Sequence, residues 1–260
     1  MRQGSGGKGM ASWGRLLTGA ALAAVLGVSA SGGAARADTE DCPTPPEMTD
    51  TDMKLPHLAE RLASHKPATI VAIGGASTIG KAAGSPDLSY PHRMEQDLAK
   101  AFPDNQITVV NKGVPKQSAK DMFERFAPDV FAAEPVLVVW EVGIIDAVRG
   151  TELDDFTDTL QNGIDALKLR AMDTVLVDMQ FSPNSATVIN FEAYLKALHR
   201  VGDLADVYVF PRFEMMRYWS EQKVFNFDDV ADADRAKLAA RVYDCLGRKL
   251  AEIVRRAATP

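Results

Sequence analysis

A chain of 260 residues, 46% hydrophobic and 25% charged, has enough apolar material to bury a sizeable core. Its net charge of −6 lacks the basic footprint that nucleic-acid binding requires, and no Lys/Arg run marks a membrane-binding surface. Two cysteines and four scattered histidines form no readable metal site, and no cofactor is implied.

Residues 1–37 read as a cleavable secretory signal. Arg2, Lys8 and Arg15 precede a 13-residue apolar run, Leu16 to Val28, followed by small residues and "ARAD" at Ala35 to Asp38. That run is short of the roughly 20 residues a spanning helix needs, so a membrane anchor is the weaker reading. Cleavage after Ala37 predicts a periplasmic or secreted protein with no transmembrane segment. No cysteine stands at the cleavage point to carry a lipid. Losing Arg2, Lys8, Arg15 and Arg36, with no acid among them, takes the net charge from −6 to −10.

Residues 38–54 are rich in Pro, Thr and Asp and predict an extended arm. Cys42 in this arm and Cys245 near the chain's end are an even pair in an oxidising compartment, where a disulfide is the expected state. Residues 55–260 predict a single α/β domain. Five apolar runs of β type recur in it: Thr69–Ile73, Ile107–Asn111, Val136–Val142, Thr174–Met179 and Asp206–Phe210. Helical periodicity lies between them, as in Tyr90–Ala101 and Leu153–Leu169. The alternation predicts a parallel sheet covered by helices on both faces.

Ligands of open parallel sheets bind beyond the carboxyl ends of the strands. The segments that follow the first four strands are glycine-rich or polar: "GGAST" at Gly74–Thr78, "NKGVPKQS" at Asn111–Ser118, "WEVGIIDAVRG" at Trp140–Gly150 and "DMQFSPN" at Asp178–Asn184. Ser77 would be presented at that edge. A turn or capping serine is the plain alternative.

The order and spacing of these blocks, with "WEVG" at a strand end and "YDCL" at Tyr243–Leu246, resemble the SGNH/GDSL hydrolase superfamily over nearly the whole chain beyond the signal. The resemblance is greatest to its exported bacterial members. It implies a flavodoxin-like three-layer sandwich on a five-stranded parallel sheet, and serine-esterase chemistry. By that resemblance Ser77 holds the nucleophile position and Gly113 and Lys116 lie in the oxyanion loop. Gly143 and Ile145 lie in the third block, where Ile145 stands in place of an asparagine. Asp234 and Lys237 fall at the family's Asp-x-x-His, with lysine replacing histidine.

Histidine suits the base's work because its ordinary pKa of about 6.5 lies near neutrality, whereas lysine begins near 10.4. Isoleucine has no side-chain donor, and loss of one oxyanion donor costs on the order of 10²–10³ in rate. Leu238, Val242, Leu246, Leu250 and Ile253 form an apolar helical stripe that leaves Lys237, Arg241, Asp244 and Arg248 on another face. Lys237 thus reads as part of a solvated helix face. His92 and His199 read as surface residues, and His57 and His65 precede the first strand, at the far edge from Ser77. Two readings follow. One is a non-catalytic or strongly impaired binding or accessory module for a small acyl or carbohydrate ligand or an envelope protein partner. The other is an ester hydrolase that uses Ser77 with Lys237 or another base.

Overall fold

The computed structural model describes residues 42–186 and 189–259; the signal and its cleavage site lie outside them. In chain order the elements are α1 (Pro56–Ala63), β1 (Ala68–Gly74), α2 (Tyr90–Ala101), β2 (Ile107–Gly113), α3 (Ala119–Glu124), α4 (Phe126–Asp129) and β3 (Leu137–Glu141). There follow α5 (Ile144–Arg149), α6 (Leu153–Lys168), β4 (Asp173–Val177), α7 (Pro183–Ala186), α8 (Phe191–Ala205), β5 (Tyr208–Phe210), α9 (Arg212–Glu221) and α10 (Arg235–Ala257). The five strands form one sheet in the order β2-β1-β3-β4-β5, every pair parallel. No helix among the described residues is long and apolar enough to cross a membrane.

The near-continuous apolar character of the strands follows from burial on both sides. Ile70, Ala72, Leu137, Val139, Val175 and Val177 point to one core, shared with Leu58 and Leu62 of α1, Met94 and Leu98 of α2, and Leu246, Leu250 and Ile253 of α10. Their alternates Val71, Ile73, Val138, Trp140 and Leu176 point to the other, shared with Phe126, Phe156, Leu160, Ile164 and Leu198. The period of two thus assigns each strand residue to a layer, and α8 and α10 fall on opposite sides of the sheet.

Helix starts are set by local chemistry. Ser89 accepts the His92 N–H ahead of α2, and Ser118 and Asp121 form a reciprocal capping box on α3. The last strand starts later than the sequence pattern predicts. Ala205 still belongs to α8, and Asp206 closes it with a left-handed backbone, φ 51°, so pairing starts at Tyr208.

Cys42 and Cys245 form a disulfide with a Cα–Cα distance of 5.7 Å, which ties the arm to α10. The arm is fastened at other points as well. Trp219 Nε1 donates to the Pro43 carbonyl at 2.8 Å, and the Leu55 N–H donates to the Ala257 carbonyl at 3.1 Å.

Candidate functional site

The chain leaves β1 through Gly74 and Gly75 into a tight turn closed by the Gly80 N–H to the Ser77 carbonyl, 3.0 Å, and the Lys81 N–H to the Ala76 carbonyl, 2.9 Å. The turn lies against the end of β2. A Cβ on Gly113 would come within 2.3 Å of the Ile79 nitrogen, so only glycine permits the approach. Asn111 fixes it further, donating from Nδ2 to the Thr78 carbonyl at 2.6 Å.

This turn delivers Ser77 and Thr78 to Glu141, the last residue of β3. Ser77 Oγ donates to Glu141 Oε1 and Thr78 Oγ1 to Oε2, each at 2.6 Å. The Tyr90 hydroxyl lies 3.0 Å from Thr78 Oγ1 and completes the chain as its donor. Burial, and then the negative charge of Glu141, hold the Tyr90 phenol well above its ordinary pKa, so it keeps its proton.

Arg212, the first residue of α9, reaches across from the end of β5. Its Nη1 lies 3.0 Å from Ser77 Oγ and 3.2 Å from Glu141 Oε1, and its Nη2 donates to Gln180 Oε1 at 3.2 Å. Glu141 and Arg212 are 3% and 1% exposed, so this is an ion pair in the interior. Ser77, 4% exposed, sits within it: it donates to the carboxylate and accepts from the guanidinium.

A serine attacks only when a base takes its proton. The acceptor at Ser77 is a carboxylate already matched by Arg212, and protonating it would leave the guanidinium buried with no counter-charge. The histidines are engaged elsewhere or stand at the surface. His57 Nδ1 is 2.7 Å from Asp173 at the start of β4, His92 faces Gln96 and Glu95, His199 pairs with Asp178, and His65 is exposed at the end of α1.

The other residues expected at a hydrolase centre do not converge on Ser77. Asp234 and Lys237 are exposed at the start of α10, and neither hydrogen-bonds to it. Arg212 occupies the position against the hydroxyl. The Gly113 N–H is used by its own loop, donating to Asn111 Oδ1 at 3.0 Å. Lys116 takes a left-handed backbone, φ 68°, and its carbonyl accepts from Arg149 at 2.8 Å. Gly143 turns the chain with φ 103° into α5, on whose first turn Ile144 and Ile145 lie half-buried.

Glu141, Arg212, Tyr90 and Gln180 did not emerge from the sequence pattern as site residues. One signal was present: a glutamate inside the buried run Val136–Val142 must find a partner, because an unpaired charge in the interior is too costly to keep. Which cation it finds depends on the strand order.

In front of Arg212 lies a cavity of about 360 Å³, lined among others by Gln180, Phe181, Met216, Leu238, Ala239 and Tyr243. Ser77 lies behind Arg212, outside that lining. A larger cleft of about 820 Å³ lies on the α8 side of the sheet edge, lined by Phe191, Lys196, His199, Phe213 and Arg217 among others.

The larger cleft holds an arrangement that the sequence reading passes over. Asp178, fully buried just past β4, accepts the Phe213 N–H at 2.7 Å and lies 3.1 Å from His199 Nε2. His199 is therefore not a free surface histidine. Its hydrogen bond to Asp178 raises the imidazole pKa, against the opposing effect of burial, while burial raises the Asp178 carboxyl. A histidine whose folded pKa exceeds its unfolded value stabilises the fold below that unfolded value, about 6.5. That contribution is lost as pH rises through the raised folded value. Stability should thus fall from about pH 6.5 upward, and His199→Gln should flatten this part of a urea-midpoint profile. An unchanged profile would show that the pair is not coupled to folding.

The five-stranded parallel sheet, its helical layers and the serine turn after β1 define an SGNH-type α/β hydrolase fold. The model of the Non-GDSL lipase-like family matches residues 41–260, and the chain belongs to that family, within the SGNH/GDSL superfamily. Solved structures share the fold at low identity. A protein assigned to the G-D-S-L lipolytic family from Desulfitobacterium hafniense is 20% identical with a TM-score of 0.56, over 72% of this chain and 99% of its own. The acetylxylan esterase Axe2 from Geobacillus stearothermophilus is 18% identical with a TM-score of 0.58, over 72% of this chain and 94% of its own. A two-domain esterase active on acetylated mannans is 17% identical with a TM-score of 0.62, over 80% of this chain and 56% of its own. No curated protein matches the sequence.

Proposed function

We propose that this protein is an exported SGNH-type module that binds a small ligand at the carboxyl edge of its sheet and does not hydrolyse esters through Ser77. The observation that carries the reading is the position of Ser77 Oγ, 2.6 Å from Glu141 and 3.0 Å from Arg212. A hydroxyl that bridges a buried ion pair is a structural strut. Loss of its proton would place a second negative charge beside Glu141, inside a site that water scarcely reaches.

Export is supported by the basic, apolar and small-residue order of the first 37 residues and by the Cys42–Cys245 disulfide. An acyl or carbohydrate ligand is supported by the family and by fold relatives described as acting on acetylated xylan and mannan.

One feature favours a second reading, an active ester hydrolase. Glu141 Oε1 is near enough to Ser77 Oγ to take its proton directly, without a histidine. Turnover of a short acyl ester such as p-nitrophenyl acetate separates the two. The binding-module reading predicts the same background rate for the wild type and Ser77→Ala. Saturable turnover abolished by Ser77→Ala would establish the hydrolase.

A further inference from the structure

Arg212 has hydrogen-bonding capacity that the protein does not use. A guanidinium carries five N–H donors in a planar fork. Nη1 serves Ser77 and Glu141, and Nη2 serves Gln180, but Nε is buried with no partner among the described residues. A buried donor left unsatisfied is unfavourable, and a charged one more so. The side with the spare capacity is the Nε/Nη2 fork, the edge with which arginine grips both oxygens of a carboxylate.

The surroundings say what could satisfy it. Gln180, an exposed residue, already places a carbonyl-type oxygen on Nη2, where one oxygen of a ligand would sit. Gln180 and Arg212 both line the 360 Å³ cavity, whose remaining wall includes Phe181, Met216, Leu238 and Val242. That volume is near the lower end of the roughly 300–1,000 Å³ typical of small-molecule sites. Glu141 meets the guanidinium only at Nη1, so its pairing leaves the Nε/Nη2 edge open to another oxygen. Of the charged residues at the rim, Arg235 is paired with Asp232 at 3.0 Å and is opposed by Asp228 on the same lining, so the charge that selects the ligand is that of Arg212.

We propose that this cavity takes a small amphipathic carboxylate. The head displaces the Gln180 side chain to bind the Nε/Nη2 fork of Arg212, and a short apolar chain lies along Phe181, Met216, Leu238 and Val242. The inference rests on the reading of the cleft as a binding site and names the chemistry of its ligand.

The probe is octanoate, titrated into the disulfide-intact protein and followed by calorimetry and by the ¹³C shift of its labelled carboxyl. Octanamide and octanol are the uncharged controls. Octanoate should bind at one site, and both controls should bind roughly 10- to 100-fold more weakly, the effect of losing a charged hydrogen bond. Ala239→Trp fills the cavity without touching the ion pair and should abolish binding in a protein whose far-UV dichroism and urea midpoint stay at the wild-type values. Gln180→Ala removes the internal competitor and should bind octanoate at least as tightly as wild type.

Equal binding of octanamide, binding that survives Ala239→Trp, or no binding of octanoate would each overturn the proposal. These failures are distinguishable from failure of the functional reading. Ser77-dependent ester turnover would sink that reading whatever octanoate does, whereas absence of octanoate binding in a protein without turnover removes only the ligand class.

Discussion

Arg212→Met is expected to destabilise the protein by about 3–5 kcal/mol, because it leaves the Glu141 carboxylate buried without a counter-charge. Glu141 is 3% exposed, and among the described residues no other cation lies within ion-pairing distance. Its two remaining donors, Ser77 and Thr78, are neutral hydroxyls. The loss should appear as a lower urea midpoint with an unchanged slope. Adding Glu141→Gln to Arg212→Met should recover most of it. The double variant has no charge left to desolvate and keeps an amide oxygen for one of the hydroxyls. A double variant no more stable than Arg212→Met would show that Arg212 acts by packing and not by charge.

Opening the disulfide should have an effect of similar size. Cys42 and Cys245 are 203 residues apart, and in the chain-entropy model a loop of that length restricts the unfolded chain by roughly 5 kcal/mol at 25 °C. Cys42→Ala/Cys245→Ala should therefore lose about 2–5 kcal/mol, since such bonds often deliver less than the model gives. Other fastenings of the arm, such as Trp219 Nε1 to the Pro43 carbonyl and Leu55 to Ala257, persist without the bridge. The arm should fray before α10 does, and limited proteolysis near Pro43 should precede global unfolding. Coincident urea midpoints for the oxidised and reduced protein would contradict this.

The fold was largely legible in the sequence because a two-sided parallel sheet needs unbroken apolar strands, and those runs are local. β1 to β4 lie within two residues of the apolar runs that announce them, and α2 spans Tyr90–Ala101 as its periodicity indicates. The short helices α3, α4, α5 and α9 carry too few turns for a periodic signal. The site was legible only in part. Ser77 could be placed because strand-end turns are local, but its chemistry depends on Glu141 and Arg212, brought to it from β3 and from the end of β5. Spacing along the chain does not encode that meeting; the strand order does.

His199 shows the same limit from the other side. Its sequence neighbours put it on the outer part of a helix, and only the docking of α8 beside the end of β4 joins it to Asp178. Conversely, Lys237 stands exposed on α10, as the apolar stripe Leu238, Val242, Leu246 and Leu250 implies. The stripe faces the core, and Lys237, one residue before Leu238, is turned about 100° from it round the helix.

On the binding-module reading, Ser77 is held within a buried ion pair and does not act as a nucleophile. Intact-mass measurement after incubation with an excess of a fluorophosphonate tests it most directly. The expected result is the unmodified mass of the disulfide-bonded chain after prolonged exposure at neutral pH. A single adduct that maps to Ser77 and is absent from Ser77→Ala would contradict it.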